Sequence, residues 1–399
     1  MYRIGQEEID AVARAIKTKD FFKINGSGKE VFNFENEWKQ FVGTDYALLM
    51  TSGHAALVSG LIGMGVGPGD EVIVPAYTYI ATALAVLETG AIPVICDVDD
   101  TLTIDAKDVK KKISKHTKAI IPVHIQGFPS NMDALYDVIK GTDIKILEDA
   151  CQAAGGMFKG KRLGSIGHAG TFSFNYFKII TAGEGGAVVT NDRAIYERSL
   201  IYHDSAAVAF FGDQLNGISE PLFGGREYRV SDITGAILRE QLKKLPSIRA
   251  DLKKNQKMLK ELLTPMYKTA PSHDIEGDLG TTLALRFESE AETRNFAEKC
   301  AKNGIGVTIP YDTGKHVYTN WTQIMQKRGA FHPAMNPYNL AENKGLQSDY
   351  TMDMCKKTLD LLSRTAYILL SPDWDEKTVE DIAKRVKADW QRLQFKRLY

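Results

Sequence analysis

Four short stretches of the chain hold residue types that could do chemistry. In SFNYFKIITAGEGGAVVTND (173–192), Lys178 is flanked by Tyr176, Phe177, Ile179 and Ile180. Poorly solvated surroundings disfavour the ammonium form, which is what an imine-forming amine requires. A lysine snorkelling from a strand or loop edge would have the same flanks. The GEGG that follows frees the backbone for a tight turn ahead of the strand AVVT. Asp149 ends the run DIKILED (143–149). At the carboxyl end of a central parallel strand it would face a ligand crevice, and burial there calls for a cationic partner such as a protonated pyridine nitrogen. It would serve equally well as the N-cap of the segment ACQAAGG, whose Gln152 offers an amide to the same pocket. TSGHAAL (51–57) follows a strand and opens a helix, so Ser52, Gly53 and His54 sit at a cradle of free backbone N–H groups or at a plain turn. In PAYTYIATA (75–83), Tyr79 has a face to lay on a planar ring, or on the core.

The elements that must position these residues follow an alternating pattern. Residues 6–17 and 31–43 have helical apolar spacing. The runs DYALLM (45–50), EVIVP (71–75), AIPVICDV (91–98), TKAIIPVH (117–124) and DIKILED then read as buried strands, with helix-compatible segments between them. This is an α/β pattern with a mostly parallel sheet covered on both faces, its loops gathered along one sheet edge. GMGVGPGD (63–70) looks like a dinucleotide fingerprint, but it follows a helix and precedes a strand, the reverse of the required order. From about residue 229 an amphipathic stretch runs to Pro246, which predicts a kink or junction before a second charged helix over 247–263. The division expected is therefore 1–245, an N-terminal arm and large domain, and 246–399, a smaller C-terminal α/β domain. The small domain carries a strand at TTLALRF (281–287), helices near 290–303, 353–363 and 375–391, and a long loop over 311–350.

Composition bounds the possibilities. Apolar residues make up 44% and charged residues 25% of 399 residues, ordinary for a globular protein with a core that needs no disulfide or structural metal. Lys plus Arg and Asp plus Glu both total 50, a balance that argues against a nucleic-acid or membrane-surface footprint. Cys96, Cys151, Cys300 and Cys355 form no CxxC pair, which fits a reducing compartment and offers no zinc site. MYRIGQEEIDAVARAI is too acidic and polar for a signal peptide, and no apolar run is long enough to span a membrane. A cytoplasmic enzyme is the expectation.

Taken together, the order and spacing of VGPGDEVIVPAYTYIAT (66–82), EDACQAAGG (148–156), GTFSFNYFKIITAGEGGAVVTND (170–192) and YRVSDITGAILREQL (228–242) resemble the DegT/StrS family of sugar aminotransferases, across nearly the whole chain. The resemblance implies the pyridoxal 5'-phosphate (PLP)-dependent transferase fold type I. It implies an enzyme that moves an amino group from glutamate or glutamine to a keto or aldehyde sugar, in lipopolysaccharide or antibiotic biosynthesis. It also implies a homodimer with shared active sites, in which GSGKEVFNFE (26–35) and the loop before Tyr228 face the partner's cofactor. Residue by residue, Lys178 matches the lysine that holds the cofactor and Asp149 the carboxylate on its pyridine nitrogen. Gln152 matches the amide near the ring hydroxyl, and Tyr79 the stacking aromatic. Gly53, His54 and Ser173, with Ser52, match the phosphate site.

Two positions depart from the family pattern. His54 stands where Thr is usual, and Glu227 where Asn is usual in the triplet that ends at Arg229. An imidazole N–H can replace a lost hydroxyl donor, whereas an ionised Glu227 would repel a phosphate. Arg226 or Arg229 could take over that contact, or pair with acidic neighbours such as Glu227 and Asp232. The acceptor pocket is expected from 311–350, including His316 and His332, with a faint likeness to enzymes making 8-amino-octulosonate sugars. The alternatives are a dehydratase on the same fold, which would carry histidine in place of Lys178, a 3-amino-5-hydroxybenzoate-type synthase, and a non-catalytic regulator, for whose DNA-binding domain there is no room.

Overall fold

The computed structural model describes residues 3–23, 28–204 and 217–397. Two helices, α1 (Gln6–Lys17) and α2 (Glu30–Val42), precede the first strand. The large sheet is built from β1 (Tyr46–Met50), β2 (Glu71–Pro75), β3 (Ile92–Cys96), β4 (Thr117–Ile120) and β5 (Lys145–Asp149). Between these strands lie α3 (Gly53–Gly63), α4 (Ala81–Glu88), α5 (Ala106–Lys112) and α6 (Met132–Ile139). A small hairpin of β6 (Met157–Phe158) and β7 (Lys161–Arg162) leads to β8 (Ala169–Ser173), β9 (Gly186–Thr190) and α7 (Arg193–His203).

The seven-stranded sheet has the order β1, β9, β8, β5, β4, β2, β3. From β8 to β3 all neighbours are parallel, and β9 lies antiparallel between β8 and β1. Strands β2, β3, β8 and β9 are buried at every position, as a sheet covered on both faces requires. Because β1 and β8 both oppose β9, they point the same way as β2 and β5. The carboxyl ends of β1, β2, β5 and β8 therefore share one sheet edge, together with the start of β9. All four sequence stretches singled out above begin at that edge.

Beyond α8 (Asp232–Leu263), a second sheet of β10 (Lys268–Thr269), β11 (Thr282–Arg286) and β12 (Thr365–Leu369) is antiparallel throughout. It is covered by α9 (Glu290–Lys302), α11 (Lys356–Ser363) and α12 (Glu376–Arg397), with the four-residue α10 (Thr322–Met325) among the short turns of 310–343. One expectation is corrected here. Residues 232–263 form a single helix with Pro246 inside it, not two helices meeting at a junction. A proline there gives up one intrahelical bond and crowds the preceding turn, a cost of about 3 kcal/mol. The apolar stripe of Leu238, Leu242, Leu245, Ile248, Leu252 and Leu259 is fully packed and holds the helix together across it. Arg239 adds ion pairs to Glu30 and Glu37 of α2, and Lys244 one to Glu8 of α1. A division of the chain near residue 245 remains a proposal, and its boundary falls within this helix.

Candidate active site

The phosphate cradle expected at 51–57 is a capped helix start. Ser52 is extended and its Oγ accepts the Ala55 N–H at 3.0 Å, which fixes the first turn of α3. Among the described residues the N–H groups of Gly53 and His54 donate to no protein acceptor. Gly53 must be glycine, since a Cβ there would lie 2.7 Å from Ser173 Cβ and 3.0 Å from Cys151 Sγ. Thus the end of β8, the turn after β5 and the start of α3 converge. One cavity is lined by Ser52, Gly53, His54, Tyr79, Asp149, Gln152, Ser173 and Lys178. All eight residues assigned from the sequence to catalysis or to the cofactor are in that lining.

Asp149 is 4% exposed and closes β5. Its Oδ2 accepts from Thr82 Oγ1 at 2.8 Å and its Oδ1 from the Cys151 N–H at 3.1 Å. The second bond is the turn-capping role that sequence left open, and it occupies one oxygen only. Among the described residues no lysine, arginine or histidine pairs with this carboxylate. Its neighbour Glu148 points to the other side of the sheet, as alternation in a strand demands. Buried there, Glu148 accepts N–H bonds from Gly164, Ile166 and Gly167 and a bond from His124 Nε2 at 2.9 Å. His124 N–H in turn donates to the Asp149 carbonyl at 3.0 Å.

Gln152 Oε1 accepts the Gln126 N–H at 3.0 Å, and among the described residues its amide nitrogen has no protein acceptor. Lys178 sits in the loop joining β8 to β9, whose return is shaped by Gly183 at φ +84°. Its surroundings differ from those expected. Ile179 and Ile180 are buried, but Tyr176 and Phe177 are 61% and 81% exposed, so Lys178 is half-buried rather than enclosed by apolar neighbours. The backbone there follows the polar turn and throws the two aromatic side chains outward. Tyr79 is 46% exposed at the rim, its ring 5.4 Å from that of His316.

His316 lines a second cavity that shares Lys178, Cys151 and Gln152 with the first. Burial lowers its pKa against the opposing bond to Thr313 O, and Lys178 lowers it further. The ring is favoured neutral, with Nδ1–H on Thr313 O and the lone pair on Nε2. His332 is exposed, its Nδ1 accepts the Ala334 N–H, and it lines neither cavity.

The departures from the family pattern have definite partners. His54 Nε2 meets Glu88 Oε2 at 2.9 Å, while Glu88 Oε1 accepts from Tyr228 Oη at 2.9 Å and has Arg226 Nε at 4.0 Å. The His54 bond, opposed by burial and helped by Tyr228 and Arg226, holds the Glu88 carboxyl below its usual range. Arg229 is paired with Asp204 and with Glu227 at 2.6 Å. Asp232 instead accepts the Val31 N–H. The Tyr228 segment is bonded to its own chain, its carbonyl accepting from Thr51 N–H at 3.0 Å. Residues 26 and 27 of the other segment expected to reach a partner lie outside the described residues. Sequence reading missed Thr82, Glu88, Asn175 and Glu184, all brought near by the fold; Thr82, Asn175 and Glu184 lie inside the stretches already singled out, and Glu88 lies in none of them.

The fold defines the class. At 26% identity the chain is similar to 3-amino-5-hydroxybenzoic acid synthase, with a TM-score of 0.79 over 98% of both chains. At 27% identity it is similar to S. venezuelae DesV, with a TM-score of 0.76 over 96% of this chain and 94% of that one. This is the fold type I architecture, α/β with a mostly parallel central sheet. Residues 3–341 match the model of the DegT/DnrJ/EryC1/StrS aminotransferase family, and the chain belongs to that family. Among curated relatives it is 36% identical over 223 residues to GDP-perosamine synthase of Escherichia coli O157:H7, covering 55% of this chain and 59% of that protein. It is 41% identical over 191 residues to GDP-perosamine synthase of Caulobacter vibrioides, covering 48% and 51%. The matches thus span little more than half the length of these relatives. Among the described residues no helix is long and apolar enough to cross a membrane, and no cluster of side chains suits a metal ion.

Proposed function

We propose that this chain is a pyridoxal-phosphate-dependent aminotransferase that moves an amino group from glutamate or glutamine to a keto or aldehyde sugar. The observation that carries the reading is Asp149, a buried carboxylate with neutral donors alone, in one cavity with a lysine amine and a helix N-terminus. A protonated pyridine nitrogen, an imine-forming carbon and a phosphate are what those three features suit. Lys178 would hold the cofactor covalently, Asp149 its ring nitrogen, Gln152 its ring hydroxyl and Tyr79 its face. Ser52, Gly53, His54 and Ser173 would hold its phosphate.

When bound, pyridoxal phosphate supplies an electron sink for the charge left on the donor's Cα. Lys178 Nζ, once free, is the base that takes the Cα proton and the acid that returns one. Thr82 and the Cys151 N–H orient the Asp149 carboxylate by occupying one lone pair on each oxygen. Gln152, held at Oε1 by Gln126, keeps its NH₂ for a ring substituent. His316 Nε2, in the second cavity, is an acceptor for a sugar hydroxyl, and Tyr79 beside it limits water at the rim.

The relatives' names support a GDP-linked amino sugar of the perosamine type as product, in preference to the 8-amino-octulosonate type. The lysine at 178 supports amino transfer over dehydration. A cytoplasmic homodimer belongs to the same reading; the exposed aromatic rings of Phe21, Phe22, Tyr176 and Phe177, which a second subunit would cover, support the dimer.

The test is direct. Purified protein incubated with pyridoxal phosphate should show an absorbance band that borohydride fixes covalently, and peptide mapping should find the adduct on Lys178. An adduct on another lysine, or none, would remove the reading.

A further inference from the structure

We propose that His54 and Glu88 form a charge-bearing clamp for the cofactor phosphate, with Glu88 the positioning residue that sets the imidazole. The idea rests on the cofactor reading above and concerns His54, a position at which this chain departs from the family pattern, and the carboxylate it meets.

Both side chains stand against their helix dipoles. His54 is the second residue of α3, where the positive helix end disfavours a cation unless an anion lies there. Glu88 is the last residue of α4, where the negative end disfavours a carboxylate. The two are joined at 2.9 Å, and Tyr228 and Arg226 approach the same carboxylate. The charged and titratable groups around His54 are Glu88, with Tyr228 and Arg226 on the same carboxylate, and Tyr79, Asp149, Cys151, Lys178 and Glu184 in the lining of the cavity that His54 shares.

Hydrogen-bond roles decide what the ring can do. With Glu88 as acceptor, Nε2 carries a hydrogen. Nδ1 has no partner among the described residues, and the residue lines the cavity beside Gly53 and Ser173. A lone pair on Nδ1 would repel a phosphate oxygen, so donation from Nδ1 requires both nitrogens to bear hydrogen. In that form the bond to phosphate is charge-assisted and stronger than the neutral hydroxyl bond it replaces. The competing account is a surface staple between α3 and α4, an exposed pair that contributes little.

The experiment compares pyridoxal phosphate with pyridoxal, which lacks the phosphate, by titrating apo-protein at fixed pH and ionic strength. Wild type, His54→Ala, Glu88→Gln and the double variant are measured, with thermal midpoints to confirm folding. For pyridoxal phosphate the clamp requires at least a tenfold loss of affinity in His54→Ala and a smaller loss in Glu88→Gln. The double variant should recover at least threefold over His54→Ala, because no bare carboxylate then faces the phosphate. Pyridoxal affinity should stay within twofold throughout. If both ligands weaken together, or neither changes in any variant, the pair is a staple and the clamp is overturned. If wild type binds neither ligand, the cofactor reading itself fails and the clamp falls with it.

Discussion

Asp149 shows what one side chain contributes that its neighbours cannot. Thr82 and the Cys151 N–H orient it, but neither brings charge, so the carboxylate is what would keep a ring nitrogen protonated. Asp149→Asn preserves shape and hydrogen-bond reach and removes the charge. It should still bind pyridoxal phosphate and lose roughly 100-fold or more in kcat, on the scale of acid–base contributions to catalysis. Stopped-flow half-reactions with the amino donor measure this, and turnover near wild type would reduce Asp149 to a turn cap. At this scale much of the site was legible. Lys178, Asp149, Gln152, Tyr79 and the Ser52–His54 turn each lie in a short motif whose local geometry is set by a strand end. Glu88 was not, because it meets His54 from 34 residues away and nothing local marks it; Tyr228 opens a motif read from the sequence, but its bond to Glu88 is made only by the fold.

Among elements, the loop over 164–167 owes its form to one carboxylate in β5. Glu148, itself fully buried, receives three backbone N–H bonds from it and one from His124. Glu148→Ala would strand those donors at about 1–3 kcal/mol each, so a loss of at least about 3 kcal/mol is expected in urea unfolding. A loss below about 1 kcal/mol would show that solvent enters and the brace is dispensable. The acidic pair Glu148–Asp149 was visible in sequence, but which member faced the crevice depended on the register of β5. Strand β8 was harder to see, since AGTFS has the Gly and small polar content of a turn and is a strand through pairing with β5 and β9. At Pro246 the reverse happened: a local breaker signal was overridden by a packed leucine stripe that no window around the proline reveals.

For the whole molecule, the contact between α8 and the small sheet contains a titrating group. Burial pushes Asp278 up to about 6, against the bonds from Gly280 N–H at 2.7 Å and Gln256 Nε2 at 3.3 Å. In the unfolded chain an aspartate titrates near 3.9. Between these values the folded state binds more protons, so this residue makes stability fall as pH rises from about 4 to about 6 and leaves it lower above that, by up to about 3 kcal/mol. Asp278→Asn keeps the Oδ1 acceptor and removes the titration. Across that window its unfolding free energy should lack the wild-type decline, and at pH 8 it should be at least as stable. An unchanged slope in chemical denaturation at stepped pH would assign the decline to other groups.

The unbroken helix over 232–263 has a mechanical side. At 1.5 Å per residue its 32 residues make a rod about 48 Å long, which begins beside the Tyr228 segment at the cradle and ends at the small sheet. A tilt of about 5° pivoting at one end sweeps the other through about 4 Å. Such a lever transmits as well as it is stiff, and Pro246 is a soft joint in it because the Leu242 carbonyl has no helical donor there. Pro246→Ala should restore that donor and slow amide exchange over 242–250; exchange equal to wild type would mean the packed stripe already holds the joint rigid.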